Sequence, residues 1–97
     1  NVKSKKGMSL QRHFKRDEVW FISEGKCNVN FSSGELSDLK EIKLDANDTF
    51  CVKRNEWHQI FNPFNEDCKI FEIQYGDQTD EADIERHSYF EGNNDEK

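Results

Sequence analysis

Apolar residues in this chain come in short alternating runs divided by turn residues. Cys27-Asn28-Val29-Asn30-Phe31 has a period of two, which puts Cys27, Val29 and Phe31 on one face of a strand. Val19-Trp20-Phe21-Ile22 is a bulky run of β-forming residues. Further strands are predicted over Leu39 to Leu44, Thr49 to Val52, Trp57 to Asn62 and Cys68 to Tyr75. Ser23 to Lys26, Ser32 to Glu35, Asp45 to Asp48 and Lys53 to Glu56 carry the Gly, Asn, Asp and Ser of turns and loops. Pro63 ends the strand before it, and Gly76 closes the longest one. Residues 1 to 6 read as a short edge strand or a frayed end. Glu81 to Phe90 is the one segment with a helical reading. Six or seven short strands at regular spacing predict an all-β sandwich or barrel.

Composition limits this picture to a single domain. Ninety-seven residues leave no room for a second core. Residues 1 to 92 are assigned to the barrel, and 93 to 97 to a disordered acidic tail. Only 33% of the residues are apolar, but eight Phe, two Trp and two Tyr give a small fold bulky material to bury. A net charge of −6 argues against a nucleic-acid partner, which needs a basic face. No apolar stretch approaches the roughly 20 residues that span a bilayer, and no signal peptide is visible, although the chain begins at Asn1. Cys27, Cys51 and Cys68 are odd in number and widely spaced. They read as reduced, buried thiols of a cytoplasmic protein.

The candidate chemistry lies in two histidine-bearing segments. Side chains at i and i+2 of a strand share a face. If extended, His13 and Lys15 look into one space, and His58, Ile60 and Asn62 share a face on the later strand. When both faces line a barrel interior, His13, Lys15, Glu18 and His58 converge. Imidazole and carboxylate together suit Zn, Mn, Fe or Ni. Each residue also has a structural reading. The histidines can be satisfied barrel residues, Glu18 can pair with Lys15 or Arg16, and Trp20 and Trp57 can be core aromatics. Gln11, Gln74 and Asn62 can bind a ligand or satisfy buried backbone. Arg12, Arg16 and Arg54 can be plain surface charges or bidentate phosphate anchors.

These segments resemble the two motifs of the cupins. Gly7, His13-Phe14-Lys15, Glu18 and Gly25 follow the first motif, with Lys15 where the second histidine stands and a gap to Glu18 one residue short. Asn47, Lys53, Asn55, His58 and Asn62 follow the second, with Asn at both glycine positions and Lys53 at the proline. Asn is the mildest replacement for a turn glycine, because it tolerates positive φ. Ser9-Leu10-Gln11-Arg12-His13-Phe14-Lys15-Arg16-Asp17-Glu18-Val19-Trp20 is similar to a segment of type II mannose-6-phosphate isomerase cupins, including the C-terminal domain of bifunctional mannose-1-phosphate guanylyltransferases. Glu72-Ile73-Gln74-Tyr75-Gly76 and Glu81-Ala82-Asp83-Ile84-Glu85-Arg86 resemble the end of that domain. Lys15 and Val19 replace two family histidines.

The resemblance implies a jelly-roll barrel with a pocket in its mouth. It implies a divalent metal (Zn, Mn, Fe or Ni) on His13, Glu18 and His58. Lys15 complicates that ligand set, since removing its proton at pH 7 costs roughly 4–5 kcal/mol. The alternative is that the Lys15 ammonium, paired with Glu18, replaces the metal as a fixed positive charge. The expected function is binding of a sugar phosphate or related small polar ligand. Gln11, Arg16, Trp20, Arg54, Asn62 and Gln74 are the ligand-contact candidates. The alternative is an active mannose-6-phosphate isomerase, with Glu18, Lys15 and Glu72 as the catalytic candidates. A homodimer is expected, because an exposed sheet edge needs cover.

Overall fold

The computed structural model describes residues 1–76 and 82–90. The expected C-terminal tail, 93 to 97, lies outside the described residues. Eight strands are described: β1 (Leu10–Arg12), β2 (Arg16–Glu24), β3 (Cys27–Ser32), β4 (Lys40–Leu44), β5 (Thr49–Val52), β6 (Trp57–Phe61), β7 (Lys69–Gly76) and β8 (Glu85–Ser88). A 3-10 turn spans Leu36–Asp38. The strands form two antiparallel sheets, ordered β4-β3-β6-β1-β8 and β5-β2-β7. They pack face to face as a jelly-roll barrel, which is the fold the sequence predicts.

Alternation along β2 sets the interior. Arg16, Glu18, Trp20 and Ile22 are buried, while Phe21 is exposed between them. Trp20 and Ile22 join Val2, Cys27, Val29, Leu44, Val52, Ile60 and Cys68 in one apolar core, with Phe31, Ile42, Phe50 and Ile70 packed against it. The core fills one part of the barrel, and the polar end of β2 reaches the other.

β6 is buried on both faces. Its inward residues, His58 and Ile60, pair in register with Phe31 and Val29. Its outward residues are covered as well. The Arg12 guanidinium lies 4.5 Å over the Trp57 ring, and Phe90 stacks on Phe61 at 5.3 Å.

Turn chemistry fixes the register. Gly25 has φ 77°, and a Cβ there would collide with the Asp67 carbonyl. Asn47 and Asn55, at the two family glycine positions, adopt φ 76° and 69°. The left-handed geometry is therefore kept with Asn in place of Gly. Gly7 has a different requirement, since an added Cβ would lie 2.5 Å from Phe61 Cβ.

Two expectations are corrected. The end of the segment given a helical reading, Glu81 to Phe90, contains strand β8, which pairs with β1 as Leu10↔Ser88, Gln11↔Arg86 and Arg12↔Glu85. Tertiary pairing overrides a weak local preference there, supported by an Arg12–Glu85 ion pair at 2.8 Å. Cys51 is exposed on the outer face of β5, whereas Cys27 and Cys68 are fully buried.

Candidate functional site

The polar end of β2 meets β6 and the loop after β1 in one buried cluster. His13, Arg16, Glu18 and His58 are each 2–4% exposed. Arg16 Nε donates to Glu18 Oε2 at 3.0 Å. Arg16 Nη2 lies 3.0 Å from His13 Nε2. The Trp20 indole N–H donates to the other Glu18 oxygen at 2.9 Å. Glu18 is thus held from both sides, by a charge and by a dipole.

The hydrogen bonds determine both imidazole tautomers. A guanidinium has only donors, so His13 Nε2 must accept from it. His13 Nδ1 then carries the proton and donates to the Asp83 carbonyl at 2.6 Å. His58 Nδ1 lies 3.1 Å from the Glu56 carbonyl, so it too carries the proton. The lone pair of His58 Nε2 is therefore available and buried, with no hydrogen-bond partner among the described residues. Burial pushes the His58 pKa down to about 4, although the bond to the Glu56 carbonyl works upward. The ring is neutral at physiological pH.

Lys15 is not in this cluster. It is exposed, and its backbone amide donates to Asp83 Oδ2 at 2.8 Å. The Phe14 amide donates to Asp83 Oδ1 at 3.0 Å. With both amides drawn to one carboxylate, the chain bends at Phe14 and Lys15 and loses the strand alternation. The next residue, Arg16, turns inward instead. The expectation that Lys15 shares the His13 face and supplies the site's positive charge is therefore corrected, and that charge belongs to Arg16. Burial works upward on the Asp83 carboxyl, but these two amides outweigh it and hold its pKa below the usual value. Asp83 was not among the sequence candidates. Its signal was faint, an acidic residue some seventy positions away in a segment read as helix.

The other candidates divide between the mouth of the site and its surroundings. Glu72 and Gln74 pair in register with Trp20 and Glu18, so they share the inward face. Gln74 Nε2 donates to Glu72 Oε2 at 2.8 Å. Glu72 is exposed at the mouth, and partial desolvation there raises its pKa; the Gln74 bond opposes this and the Glu18 charge adds to it. Gln11 pairs in register with His58 and accepts from Ser9 Oγ at 2.8 Å. A cavity of about 120 Å³ lies beside the cluster, lined by Trp20, Glu72, Met8, Ile60, Ile70, Val2 and Asn1. The Trp20 ring stands edge-on to His58, with centroids 5.6 Å apart.

Asn62 and Arg54 are turned elsewhere. Asn62 is fully buried, donates to the carbonyls of Val2 and Glu66, and accepts from the Phe64 amide. It fastens the N-terminal segment to the loop after β6, which is the backbone-satisfying one of the two readings its sequence position leaves open. Arg54 stands beside Gly76 and 3.7 Å from Asp17, whose partner Tyr75 lies on the outer face of β7.

A divalent metal would draw on three of these residues. One donor atom from each of His13, Glu18 and His58 lies within 4.8 Å of the others, and two imidazoles with a carboxylate are suitable ligands. His58 Nε2 has the lone pair a metal needs. The other two donors are already bonded to the Arg16 guanidinium, which brings its own positive charge. As arranged, these residues do not fit a second cation.

Comparisons with known proteins agree with the fold. Residues 1–89 match the family model described as mannose-6-phosphate isomerase C-terminal. The alginate biosynthesis protein AlgA of Pseudomonas aeruginosa is 32% identical over 85 residues, which is 88% of this chain and 16% of that protein. The chain thus spans about a sixth of the length of that relative. Among solved structures, the QdtA 3,4-ketoisomerase of Thermoanaerobacterium thermosaccharolyticum, in complex with TDP-4-keto-6-deoxyglucose, superposes with a TM-score of 0.72. Identity is 17%, and the match covers 90% of this chain and 61% of that one. The WlaRB TDP-quinovose 3,4-ketoisomerase of Campylobacter jejuni gives a TM-score of 0.70 at 21% identity, over 84% and 60% of the two chains. Among the described residues, no helix is long and apolar enough to cross a membrane.

Proposed function

Since the chain belongs to the family of mannose-6-phosphate isomerase C-terminal cupin domains, we propose that it binds a sugar phosphate or related sugar ligand in the barrel mouth. The observation that carries this reading is the His58 Nε2 lone pair, buried and unpartnered beside Trp20. An unsatisfied buried acceptor costs about 1–3 kcal/mol, and a ligand hydroxyl would relieve it. Trp20 offers an apolar wall, while Glu72 and Gln74 at the mouth offer acceptors and a donor for further hydroxyls. The solved QdtA structure, of a point mutant, holds TDP-4-keto-6-deoxyglucose, and WlaRB is named a TDP-quinovose 3,4-ketoisomerase, which supports a sugar-related ligand. Calorimetric titration with mannose 6-phosphate, mannose and inorganic phosphate tests the reading. Saturable binding of the sugar phosphate, weakened tenfold or more by Glu72→Ala, is expected. Heats that never saturate with any of the three would remove the proposal.

A second reading, an active sugar-phosphate isomerase, is favoured by one observation. Glu72 has its pKa raised by partial desolvation and by the charge of Glu18, and it lines the cavity. A carboxyl tuned upward in this way suits proton transfer next to a sugar carbonyl. Turnover of mannose 6-phosphate that Glu72→Gln abolishes would select this reading, and its absence at high enzyme concentration would leave binding alone.

The expected homodimer also has a candidate surface. Phe71 and Ile73 on β7 are 66% and 64% exposed, and Tyr75 and Phe21 extend the patch. Among the described residues, β7 is also an edge strand of its sheet. We propose that a second copy covers this face.

A further inference from the structure

We infer that this domain is a metal-independent cupin in which the Arg16 guanidinium holds the place of the cation and keeps metals out. Three features carry the inference. Arg16 is 4% exposed, so its charge lies inside the barrel rather than on its rim. It donates to Glu18 Oε2 and to His13 Nε2, two of the three atoms that would ligate an ion. The remaining Glu18 oxygen accepts the Trp20 indole N–H.

The charge balance leads to the same result. Arg16 faces Glu18 at 3.0 Å, and the bond to the Glu56 carbonyl leaves the His58 ring neutral. A divalent ion would add two positive charges to a buried cluster that already has a guanidinium in contact with its ligands. A metal could enter only if Arg16 left, and that would break its bonds to Glu18 and His13.

The positioning device lies outside the cluster. Asp83 draws in the amides of Phe14 and Lys15, and its carbonyl fixes the His13 tautomer. The bend it makes rotates position 15 outward and position 16 inward. A histidine at position 15 would point outward along with the lysine, so the lysine itself costs the site nothing. The inference is independent of which ligand binds, so its test needs no sugar.

Co(II) is the probe, because its visible absorption reports coordination. Chelator-stripped wild-type protein, prepared without a metal column, is titrated with Co(II) alongside Arg16→Met and Arg16→Met/His58→Ala. Far-ultraviolet circular dichroism checks that each variant folds. The wild type should give no ligand-field band at stoichiometric Co(II). Arg16→Met should bind Co(II) at least 100-fold more tightly, and the added His58→Ala should remove that gain. Stoichiometric Co(II) binding by the wild type that is lost in His58→Ala would overturn the inference, whatever the Arg16 variants do. A folded Arg16→Met that gains no affinity would overturn it as well. If Arg16→Met fails to fold, ¹⁵N spectra of the wild-type histidines decide. Nε2 signals of His13 and His58 that are unmoved by equimolar Zn(II) uphold it, and shifted ones refute it.

Discussion

At the scale of single residues, the cluster depends on a buried charge pair that tolerates no partial removal. Arg16→Met takes the guanidinium away from the buried Glu18 carboxylate, and Glu18→Gln takes the carboxylate away from the buried guanidinium. Each single change is expected to cost about 3–5 kcal/mol in urea unfolding, because a buried charge loses an opposite charge held 3.0 Å away. The double variant should lose less than the sum of the two, and additive losses would mean the pair is not coupled. His58 adds a pH dependence. Its folded pKa of about 4 lies below the ordinary value of 6.5. Between these values the unfolded chain takes up a proton that the folded chain refuses. Stability is therefore complete above pH 6.5 and declines as the pH falls towards 4, by about 3 kcal/mol in total. Glu72, with its raised pKa, acts in the opposite sense on acidification. The comparison to make is therefore with His58→Gln, whose unfolding free energy should fall less steeply over that range. Equal slopes would refute the assignment.

At the scale of elements, the sequence displayed the strands because alternation and turn chemistry agree along most of the chain. β2, β3, β5, β6 and β7 all lie where short apolar runs meet turn residues. The Asn47 and Asn55 turns were legible too, since only a residue that tolerates positive φ can replace a glycine there. Asn55→Gly is expected to be close to neutral in thermal unfolding. Asn55→Val should cost about 1–2 kcal/mol, because a β-branched side chain resists the left-handed region. Equal stability of the two would show that the turn can relax. The bend at Phe14 and Lys15 was not legible. It depends on a carboxylate about seventy residues away, and no local pattern signals such a contact. That single long-range contact is why the sequence placed the positive charge on Lys15 when the fold places it on Arg16. β8 was hidden for a similar reason. Its four residues are all exposed, so no buried face marked them as a strand.

For the molecule as a whole, the barrel follows from the sequence more securely than its chemistry does. The fold needs only volume and alternation, both of which are local. The site depends on which side chains turn inward at one end, and this changes with a one-residue bend. The apolar outer face of β7 makes a prediction at the same scale. Light scattering should give twice the 11.5 kDa chain mass. Phe71→Glu with Ile73→Lys should give the monomer with the circular dichroism of the barrel retained. A monomeric wild type would contradict the proposed pairing.

The most direct test of the account is a titration of chelator-stripped, ¹⁵N-labelled protein with mannose 6-phosphate, following Trp20 Nε1 and the His58 ring nitrogens. The account predicts saturable shifts at both residues that are unchanged by excess EDTA. Shifts that appear only after a divalent metal is added, or no shifts up to millimolar ligand, would contradict it.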